Sequence, residues 1–260
     1  MRTLLIGMGR IGFKGFDDPG IETHYEQILA HRSLKLVGTC DNDCRERFGP
    51  YGATIVPGTF PHFTDFKTAL RELMPELVIV ATPSSTHREI CSFAAEKPYV
   101  KGILCEKPLA ATVGDCEAIV EACRNKTLLV GHQRRYEGRH QAMRDMVVDE
   151  IFGKAESVQV IYGGDPIDIG AHAVDTANYI APHVPHIIVN GDEPGTFITR
   201  LTTEFGRVEL SSYKYYEPGY LHNMYENLIY CATTGALPDS NGLTGLDAVR
   251  GALALQKAAA

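Results

Sequence analysis

The sequence has no apolar run near the roughly 20 residues that span a bilayer, so a membrane-spanning protein is not expected. It has no excess of basic charge. Its 25 Lys and Arg stand against 32 Asp and Glu, a formal net charge of −7, which argues against nucleic-acid backbones and anionic membrane surfaces as partners. Its seven cysteines are odd in number and include no C-x-x-C pair. That argues against a disulfide framework and for free thiols in a reducing cytoplasm. It shows no internal repeat and no low-complexity linker. The N-terminal MRTLLIGMGRIGF faintly imitates a signal peptide, but glycines and Arg10 break its apolar run and no small-residue cleavage site follows. It reads as a strand. What is present is ordinary for a globular chain: 44% hydrophobic and 22% charged over 260 residues, enough for one large domain or two small ones.

Five short apolar runs punctuate the first half: TLLI (3–6), LKLVGTCD (34–41), ELVIVATP (76–83), GILCEKP (102–108) and TLLVG (127–131). Continuous apolar runs of this length suit parallel strands buried on both faces. Between them lie amphipathic stretches at 24–32, 64–73, 86–97 and 113–125. The alternation predicts an α/β fold, a doubly wound parallel sheet of Rossmann type with right-handed crossovers. After residue 131 the pattern changes. A helix near 138–150 leads to KAESVQVIYGG, a second helix, PHIIVNG, and two alternating segments separated by a turn, TFITRLTTEFG and RVELSSYKYYEPG. These predict a second, small α+β domain with a mainly antiparallel sheet. Two helical stretches close the chain, the last with Thr244 and Asp247 spaced for a cap. The expected division is 1–131 for the parallel-sheet domain and 132–260 for the α+β domain.

Residues 7–12, GMGRIG, place Gly7, Gly9 and Gly12 in G-x-G-x-x-G directly after the first strand. The first glycine permits a tight turn, the second lets backbone approach a pyrophosphate, and the third lets helix and strand pack closely. A glycine-rich turn without a ligand is the alternative reading. The second run ends at Asp41, where an acid accepts hydrogen bonds from ribose hydroxyls and repels a 2′-phosphate; Arg45 nearby softens that preference. Asp41 lies further from the loop than usual because GFKGFDDPGIET (12–23) intervenes, and its Pro19-Gly20 delays or interrupts the first helix. Lys107 follows a strand end, where open α/β sheets bind ligands. The bland reading is a surface loop lysine.

The segment GGDPIDIGAHAVD (163–175) raises a separate question. Its helix places Asp168, His172, Asp175 and Tyr179 on one face, at spacings of four, three and four. A solvated face and a catalytic face both fit. Asp168 also suits an N-cap, and His172 also suits a half-buried helix histidine. The histidines of HVPH (183–186), Cys40 and Cys44 lack further ligands, so no metal site is expected. Aromatic SSYKYYEPGY (211–220) leaves core, interface and sugar-stacking roles open, with Tyr213 and Tyr215 on one side of the strand and Lys214 and Tyr216 on the other.

Taken in order, GMGRIG, ATPSSTHREI (81–90), CEKPLA (105–110), GHQRRY (131–136) and GGDPIDIGAHAVD resemble the Gfo/Idh/MocA family of oxidoreductases over nearly the whole chain. The glycine loop is unspecific, whereas E-K-P followed by D-x-x-x-H is strongly specific. The resemblance implies a cofactor, NAD in preference to NADP, held by Gly7, Gly9, Arg10, Ile11, Gly12, Asp41, Thr82, Pro83, His87, Glu106 and Lys107. It implies Lys107, Asp168 and His172 as the catalytic and substrate-binding set, with Arg135 and Tyr136 near the cleft. The G-H-x-x-R-[FY] variant is reminiscent of members acting on nucleotide-linked sugars. A homo-oligomer, dimer or tetramer, formed through an open sheet is implied as well. The second domain is shorter than usual for the family, which bears on substrate and assembly. The chemistry agrees: oxidising a secondary alcohol requires a hydride acceptor and a base, and His172 titrates in the useful range while Lys107 can stabilise an alkoxide. The rival readings are a non-catalytic dinucleotide or sugar sensor, and an imine or double-bond reductase.

Overall fold

The computed structural model describes residues 1–13, 22–42, 60–213 and 219–259. The Pro19-Gly20 pair, Cys44, Arg45, Lys214, Tyr215 and Tyr216 lie outside the described residues.

Six parallel strands form the first sheet: β1 (Arg2–Ile6), β2 (Lys35–Cys40), β3 (His62–Phe63), β4 (Leu77–Val80), β5 (Gly102–Cys105) and β6 (Thr127–Val130), in the order β3-β2-β1-β4-β5-β6. The two-residue β3 was not expected, being too short to leave a periodic signal. Side chains alternate between two cores. Leu4, Ile6, Val78, Val80, Ile103, Cys105 and Val130 face one side, and Leu5, Leu77, Ile79, Leu104 and Leu129 the other. This two-sided burial explains why the strands read as unbroken apolar runs.

The first side is covered by α2 (Phe66–Leu73), α3 (Ser84–Ala95), α4 (Val113–Ala122) and α8 (Gly242–Ala259), and the second by α1 (His24–Ala30) and α7 (Tyr220–Thr234). All six β1–β6 strands precede residue 131, but the last two helices return to them. Asn241, not Thr244, caps α8: its Oδ1 accepts the Leu243 and Thr244 N–H groups at 3.0 and 3.3 Å. Thr244 turns its hydroxyl to Asn241 O instead, at 2.8 Å.

The second sheet has four strands in the order β10-β9-β7-β8. They are β7 (Ala155–Tyr162), β8 (His186–Asn190), β9 (Thr196–Thr203) and β10 (Gly206–Tyr213). The β7–β9 and β9–β10 pairs are antiparallel and β7–β8 is parallel. One face packs Val158, Val160, Tyr162, Phe197 and Leu201 against α5 (Gly138–Val148) and α6 (Asp168–Ile180). The other carries Ile187 and Val189 exposed. The six described cysteines, Cys40, Cys91, Cys105, Cys116, Cys123 and Cys231, are buried and form no disulfide with one another.

Candidate active site

Strand order reverses between β1 and β4, and the glycine loop sits at that switch point, outside the carboxyl ends of the strands. Gly7 has φ +96°, and a Cβ there would lie 2.5 Å from the Ala81 carbonyl carbon; a Cβ on Gly12 would lie 2.0 Å from Gly7 O. Only glycine permits this closeness, so the loop backbone is laid against the end of β4. Gly9 O accepts the Phe13 N–H at 2.9 Å, which closes one helical turn. Then His24 N and Tyr25 N donate to Ile11 O and Gly12 O at 3.0 and 2.8 Å, so α1 continues the turn that the loop began, across the intervening segment. Thr23 caps α1 by accepting the Glu26 N–H. Asp41, buried at the end of β2, braces the loop by accepting the Met8 N–H on Oδ2 at 2.7 Å. Shape and donors fit a dinucleotide: a glycine cradle for a pyrophosphate, with a carboxylate beside it for a ribose. Arg10 is exposed and Ile11 half-buried on that turn. Thr82 and Pro83 cross from β4 to α3.

Lys107 lies just past β5 and reaches across to α6, where its Nζ is 2.5 Å from Asp168 Oδ1. Asp168 is not the cap of its helix. Asp165 Oδ1 accepts the Ile167 and Asp168 N–H groups at 2.9 and 2.7 Å, and that leaves the Asp168 carboxylate to the lysine. One turn on, His172 is 1% exposed and its Nε2 has no hydrogen-bond partner among the described residues. Burial first, then the charges of Lys107 and Arg134 and the His132 ring, hold it well below the ordinary histidine value. The ring is therefore neutral at pH 7, and it is a weaker base than the ordinary histidine that the sequence led one to expect.

The rest of that helix face meets GHQRRY. His132 stands edge-on to His172, ring centroids 5.6 Å apart, and its Nδ1 is 3.9 Å from Asp175 Oδ2. Burial pulls His132 below its ordinary value, against the pull of Asp175. Asp175 is gripped by Arg135, with Nε 3.0 and 2.9 Å from its two oxygens and Nη2 2.8 Å from Oδ1. Arg135 Nη1 donates to Asp239 O at 2.9 Å. The Tyr179 ring lies 4.9 Å from the Arg135 guanidinium and 5.3 Å from that of Arg144. This polar face is thus not simply solvated, and its residues meet different partners along its length. Its first turn faces Lys107, His172 and Asp175 form a buried seam against GHQRRY, and the half-buried Tyr179 lines an open cleft of about 450 Å³ with Arg135, Arg144 and Asp239.

Three expected contacts are corrected. The Arg135 guanidinium, expected at the substrate, is committed to Asp175 and Asp239 O. Tyr136 lies in the core beside Leu5, Tyr220 and Tyr225, with its hydroxyl 3.1 Å from Asn227 Oδ1. His87, expected at the cofactor, is fully buried, with Nε2 2.8 Å from Thr82 O and Nδ1 3.1 Å from Leu109 O. It ties the two strand-end loops together.

Sequence reasoning passed over His132, Asp175 as an ion-pair partner, and a buried chain behind Lys107. Glu106 Oε1 is 2.9 Å from His24 Nε2, and His24 Nδ1 is 3.0 Å from the Tyr225 hydroxyl. Burial alone would raise the Glu106 carboxyl, but the hydrogen bond from His24, with the charge and backbone N–H of Lys107, overcomes it and holds it below its usual range. For Asp175 a signal existed, since the i, i+7 spacing from Asp168 was visible. For the His24 chain there was none, because its members are far apart in sequence. A separate cleft of about 650 Å³ at the opposite edge of β5 and β6 contains Lys101, Arg124 and Lys126. These already bind Glu76, Glu121 and the Lys97 and Val100 carbonyls.

A parallel sheet with a glycine cradle at its switch point, joined to a second sheet whose helix brings an acid and a histidine towards a lysine at the end of β5, is an α/β architecture of the dinucleotide-binding type. The model of the Gfo/Idh/MocA oxidoreductase family, described by its NAD-binding Rossmann fold, matches residues 1–133, and the chain belongs to that family. Its relatives include the 1,5-anhydro-D-fructose reductase of Ensifer adhaerens, 30% identical over 44% of this chain and 41% of that protein. The inositol 2-dehydrogenase of Rubrobacter xylanophilus is 30% identical over 57% of this chain and 41% of its own length. The matched segments thus span well under two thirds of these relatives. A myo-inositol dehydrogenase from Corynebacterium glutamicum shares the fold, with TM-score 0.80 and 16% identity over 99% of this chain and 96% of that one. No described helix is long and apolar enough to cross a membrane.

Proposed function

We propose that the chain is an NAD(H)-dependent dehydrogenase that interconverts a secondary alcohol and a ketone on a sugar, cyclitol or nucleotide-linked sugar. The observation that carries this reading is the approach of Lys107 Nζ to Asp168, 2.5 Å, beside a neutral, buried His172. Residues 1–131 hold the dinucleotide, and the chain after 131 supplies α6 as the substrate wall. Gly7, Gly9 and Gly12 cradle the pyrophosphate and Asp41 meets the ribose. When bound, the nicotinamide supplies the hydride acceptor. Lys107, aimed by Asp168, meets the substrate oxygen and stabilises the alkoxide as it forms. His172 Nε2 takes the hydroxyl proton. Asp168, half-exposed, receives a neighbouring hydroxyl. The curated relatives named for anhydrofructose and inositol support a polyol-type substrate, and the buried free thiols suit the cytoplasm.

The test is a screen of free sugars, cyclitols and nucleotide-linked sugars, followed by absorbance of the reduced nicotinamide. Calorimetry with NAD and NADP runs in parallel. Turnover of at least one polyol with tighter binding of NAD is expected, because a 2′-phosphate beside Asp41 suffers charge repulsion. Dinucleotide binding without turnover of any of them would favour a sensor.

A further inference from the structure

Behind Lys107 runs a buried line of hydrogen-bonding groups from three separate segments. Glu106, at the end of β5, accepts the Lys107 N–H on Oε2 at 3.2 Å and faces His24 Nε2 with Oε1 at 2.9 Å. His24 faces the Tyr225 hydroxyl of α7 with Nδ1 at 3.0 Å. His24 and Tyr225 are fully buried and Glu106 is 4% exposed. The pocket is shaped for the carboxylate, since a Cβ on Gly131 would fall 2.7 Å from Glu106 Oε1.

We propose that His24 and Tyr225 are positioning residues for Lys107, acting through Glu106 to fix the lysine's loop and to join it to the glycine loop. An ionised carboxylate only accepts, so His24 carries its hydrogen on Nε2. The Tyr225 hydroxyl then donates to Nδ1 and locks that tautomer, as a group behind a catalytic imidazole does. His24 is also the first residue of α1, and its backbone N–H donates to Ile11 O in the glycine loop at 3.0 Å. One residue therefore touches the cofactor cradle with its backbone and the lysine's loop with its ring. Without the ring, Glu106 is a buried carboxylate short of a donor. It then takes a proton or admits water, and either outcome loosens its hold on the Lys107 N–H.

The rival is that His24 and Tyr225 merely fill volume. Substitutions separate the two. His24→Gln keeps a donor and an acceptor, His24→Leu keeps only bulk, and Tyr225→Phe removes only the hydroxyl. The inference rests on Lys107 as the catalytic lysine, so its tests include two that need no turnover. Nuclear magnetic resonance of ¹⁵N-histidine-labelled protein should show His24 as the Nε2–H tautomer in the parent and a mixture in Tyr225→Phe. Competitive acetylation with acetic anhydride, read by mass spectrometry, should label Lys107 several-fold faster in His24→Leu, with Lys101 and Lys126 unchanged. His24→Gln should label Lys107 as the parent does. Turnover, on the substrate from the screen above, should fall about tenfold or more in His24→Leu with NADH affinity retained. Equal Lys107 labelling in parent and His24→Leu, His24→Gln labelling as fast as His24→Leu, or an unchanged tautomer in Tyr225→Phe, overturns the proposal. If Lys107→Met keeps full turnover, the catalytic reading of the lysine falls instead, and the labelling still judges the positioning.

Discussion

Asp175→Asn and Asp168→Asn remove one charge each from the same face of α6, and they should have opposite consequences. The Asp175–Arg135 pair is sealed, with side chains 2% and 9% exposed and three N···O contacts between 2.8 and 3.0 Å. Removing one member of such a pair strands the other charge, a loss of about 3–5 kcal/mol. An asparagine still offers one acceptor, which places the expected loss near the lower end, about 3 kcal/mol. For a chain of this length that is a fall in Tm of roughly 6–12 °C. Asp168 is half in water, its side chain 51% exposed, and exposed pairs contribute about 0–1 kcal/mol. Asp168→Asn should therefore fold as the parent does, yet lose hydride transfer because Lys107 is no longer aimed. Urea titration and calorimetry on both variants, with single-turnover kinetics in parallel, measure the contrast. Replacing the sealed pair by apolar side chains, Arg135→Met with Asp175→Leu, should recover part of the loss, since neither charge is then left unpaired. An Asp175→Asn protein within 1 kcal/mol of the parent, by the same scale, would refute the burial argument. Equal destabilisation by Asp168→Asn would refute the division of the helix face.

Other outcomes follow from the same geometry. His172→Asn and Lys107→Met should each bind NAD but transfer hydride about 10²–10⁴-fold more slowly in single-turnover assays; undiminished transfer in His172→Asn would remove it from the reaction. Burial holds His132, His140 and His172 below their ordinary values, so between about pH 6.5 and those lowered values the unfolded chain binds more protons. Their contribution to stability is present above about pH 6.5 and lost as pH falls, and a urea midpoint that stays flat from about pH 7.5 to about pH 5.5 would contradict this. The exposed Ile187 and Val189 on the open face of the second sheet mark the face through which we propose a homo-oligomer forms. Light scattering should show the assembly and its loss in Ile187→Lys with Val189→Lys, and a monomeric parent at micromolar concentration would rule it out.

Most of the fold was legible because it rests on local physics. A strand buried on both faces must be apolar at every position, and TLLI, LVIV and GILC announce themselves for that reason. The glycines at 7 and 12 were legible for a related reason, since a Cβ on Gly7 would strike the end of β4 and a Cβ on Gly12 would strike Gly7 O. What escaped was set by contacts distant in sequence. The return of α7 and α8 to the first sheet depends on which apolar stripe meets which face, and periodicity does not say that. The caps of α6 and α8 were misplaced because several residues near each helix start could serve. Asp165 and Asn241 won by standing before the first turn, where their oxygens reach two N–H groups at once.

The helix face at 168–179 shows why composition alone could not assign roles there. Acid, imidazole, acid and phenol share one stripe, and each residue's chemistry is decided by what the facing segment offers. Lys107 arrives from the end of β5 and makes Asp168 an aiming group. His132 arrives from the end of β6 and stands edge-on to His172, which burial first, then Lys107, Arg134 and His132, keeps neutral. Arg135 arrives one turn later and converts Asp175 from a candidate acid into a structural counter-ion. The same carboxylate chemistry therefore yields a half-exposed partner for Lys107 at one end of the stripe and a sealed counter-ion for Arg135 further along, and the difference is access to water. That gradient also bears on Arg135: placed over Asp175, its guanidinium pairs with a carboxylate of its own chain and with the Asp239 carbonyl.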